Sequence, residues 1–539
     1  MHKPTRSLWL FIPLFALALA LPAAAQWAGF ITGQVNVPNP GLRPVRGIQV
    51  FIHNGKIELS LRDFLRLTLA NDPSIQITRL SPDTAFASVF RAQSPFDPNL
   101  SLSYGATRSI TPEFVQTSGA SRLDELNQTS GINFSQLLPT GETIAAGFSA
   151  DRVATNNQYA FFNPTISSGI NLSITQPLWQ NRDNLLYRAP LEQAEIGVAI
   201  AKDQSATQVA TLLAQAADAY WTSAGALGNV GVQQAALKLA QGSYDLNREM
   251  LHLGALAKLD IYQSEAQVAA DKVQLVQAQY SYQESLDVLR RYIGADLTAR
   301  LRALPIVLEQ AATSGGMGRV MTHARETRAI AYALAQRPEM HAIQRQLASD
   351  RLGIAAAHES LEPSLNLTGF YGGNGLGGNQ VGAGGATGGL GTALRQMWAF
   401  SAPTYGFSLK LGLPLRNSSG AGQLTNALVT RTQDRYVARN DRQAVIESVR
   451  LAAKQREMAR QQILAARIAV QLAQKNVAAE QEKYKLGSIT MFEVLQAQVL
   501  LSQDQSALLS AHINYQQARI AYLLATWKLF PAMGIKLKS

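Results

Sequence analysis

The 539-residue chain contains no cysteine. Disulfides, thiolate metal sites and a lipid-modified N-terminal cysteine are therefore excluded. Its seven histidines fall in no metal-ligand spacing, and His358-Glu359 lacks the second histidine that a zinc-protease helix needs. Phosphate-loop and nucleophile-elbow motifs are missing. The glycine stretch from Gly372 to Gly391 lacks the strand-to-helix context of a dinucleotide site and reads as a surface loop. The sequence thus predicts neither an enzyme nor a cofactor or metal. Beyond residue 25, no apolar run reaches the length of a membrane helix. If the chain crosses a membrane, it must do so with strands.

Lys3 and Arg6 precede a mostly apolar run from Leu8 to Leu21, and Ala23-Ala24-Ala25 offers a cleavage site. This predicts a signal peptide over 1–25 and an exported protein. The formal charge is +11. Its positive residues are scattered, so a solvated surface is predicted and a nucleic-acid partner is not.

What the chain does contain is a pattern written twice. Leu69-Ala70-Asn71-Asp72-Pro73 resembles Leu334-Ala335-Gln336-Arg337-Pro338, and Pro98-Asn99-Leu100-Ser101-Leu102 resembles Pro363-Ser364-Leu365-Asn366-Leu367, both at an offset of 265. Further on, His252-Leu253-Gly254-Ala255 matches Lys485-Leu486-Gly487-Ser488 at an offset of 233, so the first copy holds 32 additional residues (265 less 233). Alternation of apolar and polar residues predicts six strands, at about 99–106, 130–138, 142–150, 168–176, 365–371 and 405–413. The connectors 107–129, 151–167 and 372–404 are long, whereas 139–141 is a tight turn. Long loops on one side and a short turn on the other is the outer-membrane barrel pattern.

Two proline-free stretches, between Pro190 and Pro305 and between Pro414 and Pro531, are rich in helix formers and broken once each, at Leu253-Gly254 and Leu486-Gly487. Each predicts a hairpin whose first arm is about 100 Å long. Heptads run through the return arms: Ile261, Val268, Leu275, Tyr282 and Leu289 in one, and Val494, Leu501, Leu508, Tyr515 and Tyr522 in the other. Asp271 and Asp504 interrupt the seam at equivalent places and are expected to reach water at its edge. Rods of this length cannot bury both faces alone. Neighbouring subunits packed side by side would cover the second face and enclose a hollow cylinder.

The two turns, Leu253-Gly254-Ala255-Leu256-Ala257-Lys258-Leu259-Asp260 and the segment from Tyr484 through Gly487 to Ala497, resemble the TolC-like outer-membrane efflux proteins, as do Asn71-Asp72-Pro73 and Arg337-Pro338-Glu339. The likeness spans about 57–530 and implies an α+β membrane protein. Long helical hairpins would form a trimeric α-barrel tunnel, and inserted strands would form a shared outer-membrane β-barrel. It divides the chain into signal peptide 1–25, N-terminal segment 26–56, first repeat 57–294, linker 295–325, second repeat 326–530 and tail 531–539. The first repeat holds strands over about 99–176 and a hairpin over 186–294. The second holds strands over about 365–413 and a hairpin over 419–530.

As function, the resemblance implies an exit duct of a tripartite efflux or type I secretion system. Its partners would be two further copies, a periplasmic adaptor, an inner-membrane pump and outer-membrane lipid. Glu493, Gln496, Tyr484 and Asp260 match the positions of the periplasmic gate. Gln496 departs from the acidic pattern, and Ile489 stands where a basic latch partner is expected. Three Glu493 carboxylates on one axis would raise one another's pKa and favour cations. Leu253, Gly254, Ala255, Leu486, Gly487 and Ser488 match the tips that dock the adaptor. Such channels wall the membrane with four strands per subunit. Six predict eighteen in a trimer instead of twelve, unless the 130–150 hairpin projects outside the membrane. The rival reading is a periplasmic coiled-coil adaptor or structural protein, which would carry a single hairpin and compact β-domains.

Overall fold

The computed structural model describes residues 41–535 apart from 43, 114–117, 254–259, 312, 314–319, 321 and 382–386. The predicted signal peptide lies outside them. A terminal unit, Met1–Val45, is distinct from a unit Arg46–Ser539 that holds every element.

A two-residue turn at Asn54 and Gly55, both at positive φ (49° and 74°), folds β1 (Ile52–His53) onto β2 (Lys56–Leu59). Helix α1 (Leu61–Asn71) begins where the Ser60 hydroxyl accepts from the Asp63 N–H. It ends at Asp72, whose carboxylate accepts from the Ile75 N–H at 3.1 Å and so caps α2 (Pro73–Gln93), with Pro73 in the first turn. The sequence Asn71-Asp72-Pro73 is thus a stop followed by a restart.

Four long strands follow: β3 (Asn99–Pro112), β4 (Arg122–Leu137), β5 (Thr143–Thr155) and β6 (Phe162–Pro177). Then come α3 (Leu185–His252, 68 residues) and α4 (Asp260–Ile293). After the short α5 (Ala299–Arg302), β7 (Ile306–Leu308) pairs in parallel with β2. Helices α6 (His323–Gln336) and α7 (Pro338–Glu359) lead to β8 (Ser364–Gln380), β9 (Thr387–Gly388), α8 (Leu390–Trp398) and β10 (Ala402–Gly412). The chain closes with α9 (Ser418–Lys485, again 68 residues), α10 (Met491–Ala525) and α11 (Leu529–Met533). Sixty-eight residues make a rod of about 100 Å. Among the described residues no helix is long and apolar enough to cross a membrane.

The long helices lie side by side. Nearer the strands, α3 meets α2 (Ser205 Oγ to the Thr78 carbonyl, 2.9 Å) and α7 (Gln193 Nε2 to the Ser349 carbonyl, 3.0 Å, and the Arg345–Asp203 ion pair). Further along, α3 meets α4 (Ser223 Oγ to the Ser285 carbonyl, 3.2 Å) and α10 (Gln517 Nε2 to Thr222 Oγ1, 3.2 Å). The seam between α9 and α10 buries Ala459, Ile463, Ala511 and Tyr515. Where α1, α3 and α4 converge, Phe64 packs on Tyr220 and Tyr292, and the Tyr220 hydroxyl donates to the Leu59 carbonyl at 3.1 Å. On the seam Asp271 and Asp504 are both half-buried; Asp271 accepts from Gln267 at 2.8 Å, and burial raises its pKa.

The six long strands form one open antiparallel sheet in the order β10-β8-β6-β5-β4-β3, with β9 beside the end of β8. One face carries Leu100, Leu102, Ile132, Phe134, Phe148, Leu172, Ile174, Leu367, Phe407, Leu409 and Leu411. The opposite face carries Ser101, Ser103, Asn133, Ser149, Asn171, Ser173, Asn366, Thr368, Ser408 and Lys410. The strands run further than predicted because their distal ends, such as Thr107–Pro112 and Gly375–Gln380, lose the apolar half of the alternation. The glycine stretch also corrects the loop expectation. Its first nine residues, 372–380, belong to β8, and α8 lies against them with Ala393 and Met397 fully buried. A Cβ at Gly373, Gly375 or Gly377 would collide with the carbonyls of Met397, Ala393 or Gly389. Glycine lets helix and strand backbones touch.

Candidate functional site

At the end remote from the sheet, α9 turns into α10 through a Schellman motif. The Ser488 N–H donates to the Lys483 carbonyl at 3.0 Å, and the N–H of Gly487 (φ +72°) donates to Tyr484 at 2.9 Å. Only a residue tolerant of positive φ fits there. Helix α10 then starts with a capping box. Thr490 caps the N3 backbone, and the Glu493 carboxylate accepts from the Thr490 N–H at 3.0 Å and from its hydroxyl. The Thr490 hydroxyl and backbone N–H groups hold the Glu493 carboxyl below its usual range. Within one subunit this opposes the upward shift expected of three converging carboxylates.

The second hairpin's tip is tied to the first. Tyr484, in the last turn of α9, donates its hydroxyl to Asn247 Oδ1 of α3 at 2.7 Å. Asn247 Nδ2 donates to Ser264 Oγ of α4 at 3.2 Å, and Ser264 donates to the Ile261 carbonyl at 2.9 Å. One turn further from the tip, Gln498 of α10 donates to Ser243 of α3 at 2.8 Å. Tyr484, Asn247, Ser264, Ser243 and Gln498 are all buried. Met491, Val494 and Leu495 pack around them with Leu246, Met250 and Ile489. A three-helix polar chain and a separate α10–α3 bond thus lie one turn apart, packed among apolar side chains. Beside them lies a groove of about 430 Å³ between α3, α9 and α10, with Lys238 and Lys485 among its lining residues. Among the described residues no cluster of histidine and carboxylate side chains could hold a metal ion.

Two long helical hairpins are thus joined at their tips and attached to a two-faced sheet. Residues 118–295 and 329–525, more than half of the chain, match the outer membrane efflux protein family. The chain belongs to the outer membrane efflux protein family. It is similar to the toluene efflux pump outer membrane protein TtgC of Pseudomonas putida, 24% identical over 77% of this chain and 79% of the relative. It is also similar to the pyoverdine export outer membrane protein OpmQ of Pseudomonas putida, 25% identical over 60% of this chain. That match spans 62% of the relative's own length. In fold it resembles the solved outer membrane protein VceC of Vibrio cholerae, with a TM-score of 0.60, 16% identity, and coverage of 86% of this chain and 95% of that one.

The residues singled out by sequence in this outer-membrane efflux protein fall into three groups. Tyr484 is buried at the junction, whereas Glu493 and Gln496 are exposed on the first turns of α10. Leu253 and Leu486, at the tips, are 77% and 82% exposed, and Gly487 and Ser488 are exposed beside Leu486. Gly254 and Ala255 lie outside the described residues. Asp260 begins α4, but its side chain also lies outside them. Asn247, Ser243, Ser264 and Gln498 went unrecognised in the sequence. Their available signal was a polar pair, Ser243 and Asn247, continuing the buried stripe of Ala240 at helical spacing.

Proposed function

We propose that this outer-membrane efflux protein works as a homotrimeric exit duct. In this reading three sheets close into one β-barrel in the outer membrane, and three pairs of hairpins form a tunnel through the periplasm. The tunnel receives cargo from a periplasmic adaptor and an inner-membrane pump. The observation that carries it is the sheet, apolar on one face and polar on the other, joined to rods of about 100 Å. A coiled-coil adaptor has no use for such a face. The near-equal hairpins, 68 residues in each long arm, support two tandem repeats.

The tips are the gate in this reading. Tyr484, bonded to Asn247, holds the second hairpin against the first, and Glu493, Gln496 and Asp260 lie on or beside the turns. Three copies of an ionised Glu493 around one axis would favour cations. The exposed Leu253 and Leu486, with Gly254, Ala255, Gly487 and Ser488, form the adaptor-docking tips. The groove flanked by Lys238 and Lys485 continues that surface. Relatives named for toluene efflux and pyoverdine export support small organic cargo.

Outer-membrane fractionation with unheated and heated gel samples tests the reading. A trimer-sized band that collapses on heating supports it. A water-soluble monomer overturns it.

A further inference from the structure

The geometry points to a membrane wall of six strands per subunit, eighteen around the trimer, instead of the twelve that the resemblance implies. This rests on the trimeric duct reading and supplies the strand number that reading leaves open. The question is whether the β4–β5 hairpin lies in the membrane or stands clear of it.

Backbone pairing fixes the hairpin's place. β4 and β5 sit between β3 and β6 with continuous pairing. One row of directly opposed residues runs Leu100, Phe134, Ala146, Leu172, Tyr371, Tyr405 from edge to edge. The adjacent row runs Ser101, Asn133, Gly147, Asn171, Gly372, Thr404. The next is Leu102, Ile132, Phe148, Ile170, Gly373, Pro403. Apolar and polar-or-glycine rows therefore alternate through the hairpin without a change of face. A one-residue slip would have reversed it.

The slope of the apolar band is independent evidence. In β10 the band runs Tyr405, Phe407, Leu409, Leu411, with Leu413 just beyond, and centres on Leu409. In β3 it runs Leu100, Leu102, Tyr104 and centres on Leu102, whose row meets β10 at Pro403. Pro403 and Leu409 are six residues apart, and five strand steps separate β3 from β10, so the band drifts about 1.2 residues per step. At about 3.3 Å per residue and about 4.8 Å between strands, that is a slope of about 40°. Strands of outer-membrane barrels tilt by about 35–45°. A band parallel to the bilayer crosses tilted strands with this drift. The hairpin lies on the same slope: its centres, Ala146 in β5 and the Ile132–Phe134 pair in β4, are four and five residues from the row of Leu409. A hairpin outside the membrane has no reason to follow it.

The sheet is open, with one side of β3 and one side of β10 unpaired among the described residues. β3 runs away from the helices and β10 runs back, so β10 of one copy meets β3 of the next in antiparallel sense. The even strand number lets that alternation close. Eighteen strands at these spacings give a barrel about 36 Å across its backbone, against about 24 Å for twelve.

The cysteine-free chain suits a test by single nitroxide labels. Full-length I132C, N133C, F134C, F148C and S149C variants on the hairpin, with S408C and L409C on β10, would be reconstituted in liposomes and checked for the trimer band. Accessibility to oxygen, which partitions into lipid, and to a water-soluble nickel complex would then be compared. The expected result is inversion between adjacent residues: oxygen favoured at 132, 134, 148 and 409, nickel at 133, 149 and 408. If β10 alternates while all hairpin positions favour nickel, the six-strand wall is overturned and the channel reading survives. If β10 fails to alternate as well, both fall.

Discussion

Tyr484→Phe removes one oxygen from the junction of the two hairpins and leaves the ring in place. The lost bond is a buried one of 2.7 Å to Asn247 Oδ1. A neutral hydrogen bond contributes about 1 kcal/mol net, and a stranded buried acceptor costs about 1–3 kcal/mol. The ring still packs on Met491, Val494 and Leu495, so no cavity term is added. If the gate opens by separating the hairpin tips, the closed state loses about 1–2 kcal/mol. The open-to-closed ratio then rises about 5- to 30-fold. Single-channel recording in planar bilayers reads this as open probability. A double-mutant cycle with Asn247→Ala isolates the pair, with an expected coupling of about 1 kcal/mol. Wild-type open probability in Tyr484→Phe, together with additivity in the cycle, would refute the assignment of this bond to the gate.

Three further outcomes are expected. Gly375→Leu places side-chain atoms where the Ala393 carbonyl lies, so α8 must lift from the sheet. Limited proteolysis should cleave at 390–398 and leave the heat-sensitive band of the proposed trimer unchanged. Burial raises the Asp218 carboxyl to about 6, and its Oδ1 has no hydrogen-bond partner among the described residues. A carboxyl with a raised folded pKa stabilises the fold fully only below its unfolded value and loses that contribution as pH rises through about 6. Thermal unfolding of Asp218→Asn should therefore lose this dependence between pH 4 and 7. Glu493 has the opposite sign: its lowered pKa supports the start of α10 above the unfolded value, and that support fades as pH falls through the folded one. Thr490→Ala should speed hydrogen exchange over 491–496 about five-fold, and acid should narrow the difference.

Much of this architecture is legible in period and punctuation. The alternation around Phe134, Leu172 and Leu409 gives the strands. The missing prolines and the Gly487 break give the second hairpin. The distal strand ends are not legible, because Thr107 to Pro112 carry no apolar alternation. The glycine stretch misleads because composition alone cannot tell an idle loop from a surface pressed against another backbone. At the tips, Tyr484 stands out by resemblance, but its partner Asn247 is 237 residues away. No local pattern joins them. The Thr490-x-x-Glu493 spacing is a legible capping box, a local role that the resemblance to a gate acid does not imply.

The seat of α8 on β8 sets a rule for how this wall tolerates substitution. Elsewhere on the apolar face, the lipid contact proposed above would let one large hydrophobe replace another, since lipid conforms to whatever shape it meets. At Gly373, Gly375 and Gly377 the neighbour is a rigid peptide group, and even a methyl has no room. The segment of lowest sequence complexity is therefore the one where the chemistry of a single hydrogen atom is required.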